Sequence, residues 1–115
     1  MTRQDRRFAQ QIAEIASIEL SLPLGACRCL VLGEGERAQA VLEELEGRAR
    51  EVDGAAQETA RYDLVVLMGE EEAPLGDLAA DGALLIDAAE KRGRLILYNA
   101  QASFRRIRVA AIPSC

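Results

Sequence analysis

The chain has 115 residues, half of them hydrophobic, with a net charge of −5 and a mean hydropathy of −0.02. These totals predict one globular domain with a modest core and exclude an intrinsically disordered chain. No apolar run approaches the roughly 18 residues that a membrane span needs, and the N-terminal segment lacks the continuous apolar region of a secretory signal. A cytoplasmic protein without a membrane partner is therefore expected.

Residue types that support common catalytic chemistry are scarce in this chain. It has no histidine, which removes the usual general base near neutral pH and the commonest zinc ligand. Its three cysteines are an odd number, which argues against a disulfide framework. Cys27 and Cys29 stand two positions apart at the start of a predicted strand, so we expect two buried thiols on one face.

The chain begins with a predicted amphipathic helix. Thr2 is a suitable N-cap, and Asp5 lies three positions later as an imperfect capping box. Apolar residues then recur at helical spacing from Phe8 to Ile15. Pro23 marks the break before the first strand.

The most informative stretch is an apolar run that leads into a glycine turn. Leu30-Val31-Leu32 is followed by Gly33-Glu34-Gly35-Glu36-Arg37-Ala38, which reads G-x-G-x-x-A, and then by a helical pattern that ends at Leu45. Strand, glycine turn and helix in this order form the first unit of nucleotide-binding α/β domains. Asp53, twenty positions after Gly33, lies where such domains place a carboxylate for ribose hydroxyls.

Further strands are predicted from apolar runs and from the alternation of apolar and polar residues. A loop that contains the remnant of a crossover helix is expected over 70–79. The predicted strands are 49–53, 62–68, 83–86 (entered through Asp81-Gly82), 94–98 and 104–112. These elements predict a three-layer α/β fold with a mainly parallel, Rossmann-like sheet, a central first strand and an antiparallel strand near the C-terminus. The single domain, 1–115, comprises an N-terminal helix and linker, 1–24, and a sheet core, 26–112.

Three motifs in chain order resemble class I S-adenosylmethionine-dependent methyltransferases. They are Leu30-Val31-Leu32-Gly33-Glu34-Gly35, Tyr62-Asp63-Leu64-Val65-Val66 and Asp81-Gly82-Ala83-Leu84-Leu85-Ile86. In that family a glycine loop follows the first strand, a "-D-L-V-" strand lies at mid-domain, and a "-G-G-x-L-" strand comes after it. The resemblance implies that S-adenosylmethionine would lie against the glycine loop and the ends of neighbouring strands. The residues that would hold it are Gly33, Glu34, Gly35, Asp53, Met68 and Gly69.

The chain departs from the family pattern at several positions. Val31 stands where the family usually has an acidic residue, and Arg37 stands where a further glycine often follows. The segment between Asp53 and Asp63 is too short for the helix and strand that normally help to cover the adenine. Met68-Gly69-Glu70-Glu71 supplies no N-P-P-Y-type motif. The departures favour a shortened, degenerate and non-catalytic domain that acts as an accessory or protein-interaction subunit, and they identify no catalytic residue.

Two other functions remain open from the sequence. A working small methyltransferase would hold its cofactor through Gly33, Gly35 and Asp53, and an NAD- or nucleotide-sensing domain would fit the same turn. Charge separates the ligands, because a dinucleotide brings a doubly negative pyrophosphate to a loop flanked by Glu34 and Glu36. S-adenosylmethionine has no phosphate and carries a sulfonium, which suits acidic surroundings better. A degenerate site would hold no cofactor.

The uneven distribution of charge and the incomplete cover of the sheet predict that the protein binds a partner. Residues 34–90 hold sixteen acidic and four basic side chains, whereas residues 91–115 hold six basic and no acidic ones. The segment 54–61 is too short to cover the sheet fully, so an apolar edge or face is expected to remain. We expect a homodimer or a complex with a larger protein, oriented by the basic segment. Nucleic acid is disfavoured because the chain is acidic and no aromatic residues interleave with the basic ones.

Overall fold

In the computed structural model the chain forms an α/β domain around one six-stranded sheet. The structure describes residues 1–57, 60–69, 79–88, 94–100 and 104–111, with the backbone alone for 81–82 and for the last two segments. The helices are α1 (Arg3–Glu19) and α2 (Glu36–Glu46), and a short 3-10 turn (Leu24–Ala26) lies between them in sequence. The strands are β1 (Arg28–Leu32), β2 (Glu51–Asp53), β3 (Tyr62–Leu67), β4 (Ala79–Asp87), β5 (Arg94–Ala100) and β6 (Phe104–Ala111).

The first helix, α1, begins at a complete capping box. The Asp5 backbone N–H donates to the Thr2 hydroxyl at 3.1 Å, and the Thr2 backbone N–H donates to the Asp5 carboxylate at 3.0 Å. Two donors at the helix start are satisfied in this way, with aspartate in the place that glutamate usually takes. No helix in the described part of the chain is long and apolar enough to cross a membrane.

The sheet has the strand order β2-β1-β3-β4-β5-β6. The three pairs that join β2, β1, β3 and β4 are parallel, whereas β5 pairs antiparallel with both β4 and β6. The predicted α/β class, the mostly parallel sheet and the antiparallel C-terminal end are therefore confirmed. The prediction of a central first strand is only approximate, because β1 is an interior strand that lies second from the β2 edge.

Strand β4 is longer than the sequence predicts. It begins at Ala79, so Asp81-Gly82 lies within the strand and not before it, and Ala79 does not belong to a crossover helix. The register with β3 is irregular between Tyr62 and Leu64, which accommodates the extra β4 residues. Aspartate and glycine are poor strand formers, but pairing with a neighbouring strand overrides local propensity, and glycine inside a strand often accompanies such irregularities. The other residues of 70–79 lie outside the described residues.

The two helices pack on the same face of the sheet. One buried cluster combines Phe8 and Ile12 of α1 with Val41 and Leu45 of α2 and with alternate residues of β1, β3 and β4. A second cluster occupies the opposite face, and its buried members are Leu30, Ala60, Tyr62, Val65 and Leu85. The structure describes no helix over this second face, so the predicted third layer stays a prediction. The five residues of this cluster are buried, whereas Leu32 and Leu67 beside them are partly buried, so the expected apolar edge or face also stays a prediction.

Candidate functional site

The glycine turn after β1 is held against the end of β3. Gly33 has a φ of +144°, and a Cβ built on it would lie 2.7 Å from the Cβ of Met68. The Met68 backbone N–H donates to the Leu32 carbonyl at 2.7 Å, which continues the β1–β3 ladder past the strand ends. Only glycine fits this position without displacing its neighbour. The sequence attributed this glycine to a tight turn, and the structure adds the close approach to Met68.

A pocket of about 530 Å³ opens at the carboxyl ends of the parallel strands. The described residues that line it come from the ends of β1 and β3, from the glycine turn and from the segment after β2: Leu32, Gly33, Glu34, Gly54, Ala55, Ala56, Leu67 and Gly69. Ligands of open α/β sheets bind at this edge, and the volume lies in the usual range for small-molecule sites. Three of the six predicted binding residues, Gly33, Glu34 and Gly69, therefore line one cavity.

The start of α2 lies beside this pocket without lining it. Gly35 is the N-cap of α2, with a φ of +103°, and a Cβ there would meet no atom within 4 Å. Arg37, the basic side chain nearest in sequence to the turn, donates from Nε to the Asp5 carboxylate at 3.0 Å. Its guanidinium carbon also lies 4.9 Å from the centroid of the Phe8 ring. Arg37 thus binds α1 through Asp5 and Phe8.

Asp53, the predicted ribose-binding carboxylate, belongs to a polar network on the second sheet face. Its Oδ2 accepts from the Tyr62 hydroxyl at 2.6 Å and from the Arg28 guanidinium at 3.0 Å. The guanidinium also lies 3.3 Å from Glu51 and 5.4 Å from the centroid of the Tyr62 ring. We call Arg28, Glu51, Asp53 and Tyr62 the carboxylate network. Asp53 is not among the described residues that line the pocket.

The carboxylate network shifts the titration of its members. The hydrogen bond from Tyr62, followed by that from Arg28, lowers the pKa of Asp53. Burial, followed by the hydrogen bond to Asp53, raises the pKa of the Tyr62 phenol. The Tyr62 oxygen also accepts from the Gln57 backbone N–H at 3.0 Å, which ties the segment after β2 to β3. The network therefore favours the ionised form of Asp53 and holds the backbone of the segment after β2 beside it.

Sequence reasoning missed Arg28 and Tyr62. Tyr62 was assigned to a buried strand, but its partner Asp53 lies nine residues away on a different strand. Arg28 and Asp53 come together because β1 and β2 pair in parallel with Arg28 opposite Glu51 and Leu30 opposite Asp53. The one signal in the sequence for this network was the charge of Arg28 at the first position of an apolar strand. Asp63, which lies in the predicted strand 62–68, accepts from the Arg28 backbone N–H at 3.0 Å.

The two cysteines near β1 are buried in the core that carries the helices. Burial raises the pKa of the Cys29 thiol to about 12, and it raises that of Cys27 as well. A neutral thiol is a poor nucleophile and a poor metal ligand. The prediction of two buried thiols on one face is confirmed.

Among the described residues, no group of three or more His, Cys, Asp or Glu side chains could hold a metal ion. Comparisons with known protein families, with curated proteins and with solved structures find no match for this chain. The pocket, the glycine turn and the carboxylate network are consequently the observations from which a function can be argued.

Proposed function

We propose that the chain is a methyltransferase-like domain that has no catalytic role of its own and acts as an accessory subunit. The observation that supports this is the composition of the pocket, where Glu34 is the one titratable side chain among the described lining residues. Acid–base and nucleophilic catalysis need a positioned base or an activated nucleophile. Asp53, the other acidic candidate, is bound to Arg28 and Tyr62. The pocket supports binding better than chemistry.

Within this proposal the pocket binds S-adenosylmethionine in preference to NAD. The pocket is large enough for part or all of S-adenosylmethionine. The Glu34 carboxylate is the one charged group among the described lining residues. A pyrophosphate would need basic groups or free helix-start N–H groups, whereas Arg37 contacts α1 and Gly35 does not line the pocket. Ribose recognition through Asp53 would require that carboxylate to leave the carboxylate network.

The accessory role requires a partner, and we propose a homodimer or a complex with a larger protein. The second sheet face gives no support for this, since the five residues of its cluster are buried. Support comes instead from α1 and the segment that follows it, where Ile18 is 73% exposed and Leu22 is 48% exposed. The basic composition of residues 91–115 against the acidic composition of 34–90 supports an oriented, salt-sensitive contact.

Calorimetry and a label-transfer assay on the purified chain test the proposal. We expect S-adenosylmethionine to bind and NADH not to bind. On incubation with tritium-methyl-labelled S-adenosylmethionine and a cell extract, we expect neither labelled acceptors nor released S-adenosylhomocysteine above the level of the same extract without the chain. Methyl transfer that depends on the chain would identify a working enzyme and overturn the non-catalytic role. NADH binding would instead favour nucleotide sensing.

A further inference from the structure

We propose that the pocket selects small organic cations with an apolar body, and that Glu34 is its specificity-determining residue. This inference rests on the proposed function for the location of the ligand. It adds that the ligand is positively charged and that Glu34 recognises this charge. Three observations carry it: the unpaired state of the Glu34 carboxylate, the absence of a described basic side chain at the pocket, and the apolar character of the remaining wall.

The carboxylates around the glycine turn differ in what they bind. Glu36 lies 3.0 Å from the Met1 ammonium, and Asp53 is held by Arg28 and Tyr62. The Glu34 side chain forms no hydrogen bond or ion pair within the described part of the chain, although it lines the pocket. Its charge is therefore available to a ligand, which is true of neither neighbour.

The described lining residues of the pocket carry one negative charge and no positive one. No basic residue is among its described lining residues, because Arg37 contacts Asp5 and Arg28 contacts Asp53 and Glu51. A concave site with charge of one sign concentrates oppositely charged ligands and repels those of like charge. The local field therefore favours cations over phosphates and carboxylates.

The rest of the wall favours an apolar ligand body. Leu32 and Leu67 are partly buried strand-end side chains, and the other described lining residues are glycines and alanines. No described lining residue is aromatic, so the cation would be read by the carboxylate and not by a cage of rings. A sulfonium or a quaternary ammonium on a hydrocarbon body matches both requirements.

S-adenosylmethionine and S-adenosylhomocysteine test the inference because they differ by the methyl group that makes the sulfur a cation. For the native chain we expect calorimetry to give about fivefold tighter binding of S-adenosylmethionine, the effect of one partly solvated ion pair. In Glu34→Gln the ratio should fall to about one while S-adenosylhomocysteine affinity is unchanged. Glu36→Gln is the matched control, since Glu36 belongs to the same turn but pairs with Met1. A ratio near one in the native chain, or an unchanged ratio in Glu34→Gln, would overturn the inference.

Choline and its neutral carbon isostere, 3,3-dimethylbutan-1-ol, separate this inference from the proposed function. Amide shifts of Gly33, Glu34 and Gly54 on addition of choline, absent with the isostere and in Glu34→Gln, would support cation selection even if neither adenosyl compound binds. In that case the proposed binding of S-adenosylmethionine fails and the cation site stands. If no cation moves these amides, the cation site fails. If the chain catalyses methyl transfer and Glu34→Gln still lowers the preference for the cation, only the proposed non-catalytic role is overturned.

Discussion

The Cα of Gly33 approaches Met68 so closely that an added Cβ would lie 2.7 Å from the Met68 Cβ. This contact joins the glycine turn to the end of β3 and so fixes two sides of the pocket relative to each other. The backbone at Gly33 also has a φ of +144°, which L side chains rarely adopt. Steric and conformational demands therefore coincide at one residue.

Gly33→Ala should lower the free energy of unfolding by about 3 kcal/mol or more, because it adds a clash with the Met68 Cβ to an unfavourable φ. Gly35→Ala is the matched control, since its φ is also positive but its added Cβ meets open space. Gly35→Ala should lower the free energy of unfolding only by the conformational contribution, about 1–2 kcal/mol. Urea unfolding of both variants measures the difference, and equal losses would contradict the role of Met68.

Tyr62→Phe should destabilise the protein by about 1.5–3 kcal/mol, the range for a hydrogen bond to a charged group. The change removes the donor to Asp53 and the acceptor of the Gln57 backbone N–H. A double-mutant cycle with Asp53→Ala measures the coupling by chemical denaturation. We expect a coupling energy above about 0.5 kcal/mol, and strictly additive losses would show that the two residues act independently.

Stability should fall in acid in a way that depends on Asp53. Its native pKa is lowered from the ordinary value of 3.8, so the unfolded chain takes up the proton first. The stabilisation is complete above that ordinary value and disappears as the pH falls through the native pKa. The melting temperature of Asp53→Asn, recorded from pH 6 to pH 2.5, should therefore decline less steeply than that of the native chain. Parallel curves would exclude Asp53 as a source of the acid sensitivity.

The thiols of Cys27 and Cys29 should resist alkylation in the native state. Both side chains are fully buried, and the pKa of Cys29 is raised to about 12, so almost no thiolate is present at pH 8. In a Cys115→Ser background, iodoacetamide at pH 8 should label neither residue until denaturant is added. Mass spectrometry of native and unfolded samples reads the result. Rapid native labelling of either cysteine would indicate that the core opens easily.

Ile18→Ser should weaken self-association if the exposed apolar residues at the end of α1 form the interface. The side chain is 73% exposed, so its removal leaves the core intact. Glu14→Ser is the control, because it changes an exposed residue of the same helix. Light scattering over a concentration series at low and high salt gives the mass. A native chain that stays monomeric throughout and binds no partner would contradict the assembly proposal.

The glycine turn and the mainly parallel character of the sheet were accessible from sequence, because both leave local patterns. Gly33 and the apolar runs of β1 and β3 predict a strand, a turn and a mainly parallel sheet, and the structure confirms them. The carboxylate network was not accessible, because Arg28, Asp53 and Tyr62 meet only when three strands pair in one register.

The start of β4 was hidden for a related reason. Asp81-Gly82 reads locally as a turn, yet pairing with β3 draws the residues before it into the strand. The position of α1 was also not determined by periodicity, which shows that a helix has an apolar face without showing which side of the sheet that face covers. Long-range contacts, strand pairing for β4 and core packing for α1, determine both features.

A single carboxylate joins the two helices, with a consequence for how the chain can be divided. Asp5 caps α1 and also binds Arg37 of α2, and α1 supplies Phe8 and Ile12 to the core over β1 and β3. A truncation at Pro23 would therefore uncover the apolar underside of the sheet and remove the Asp5 carboxylate from Arg37. The first 24 residues cover one face of the sheet that carries the pocket at its edge, so we expect a fragment that lacks them not to refold cooperatively.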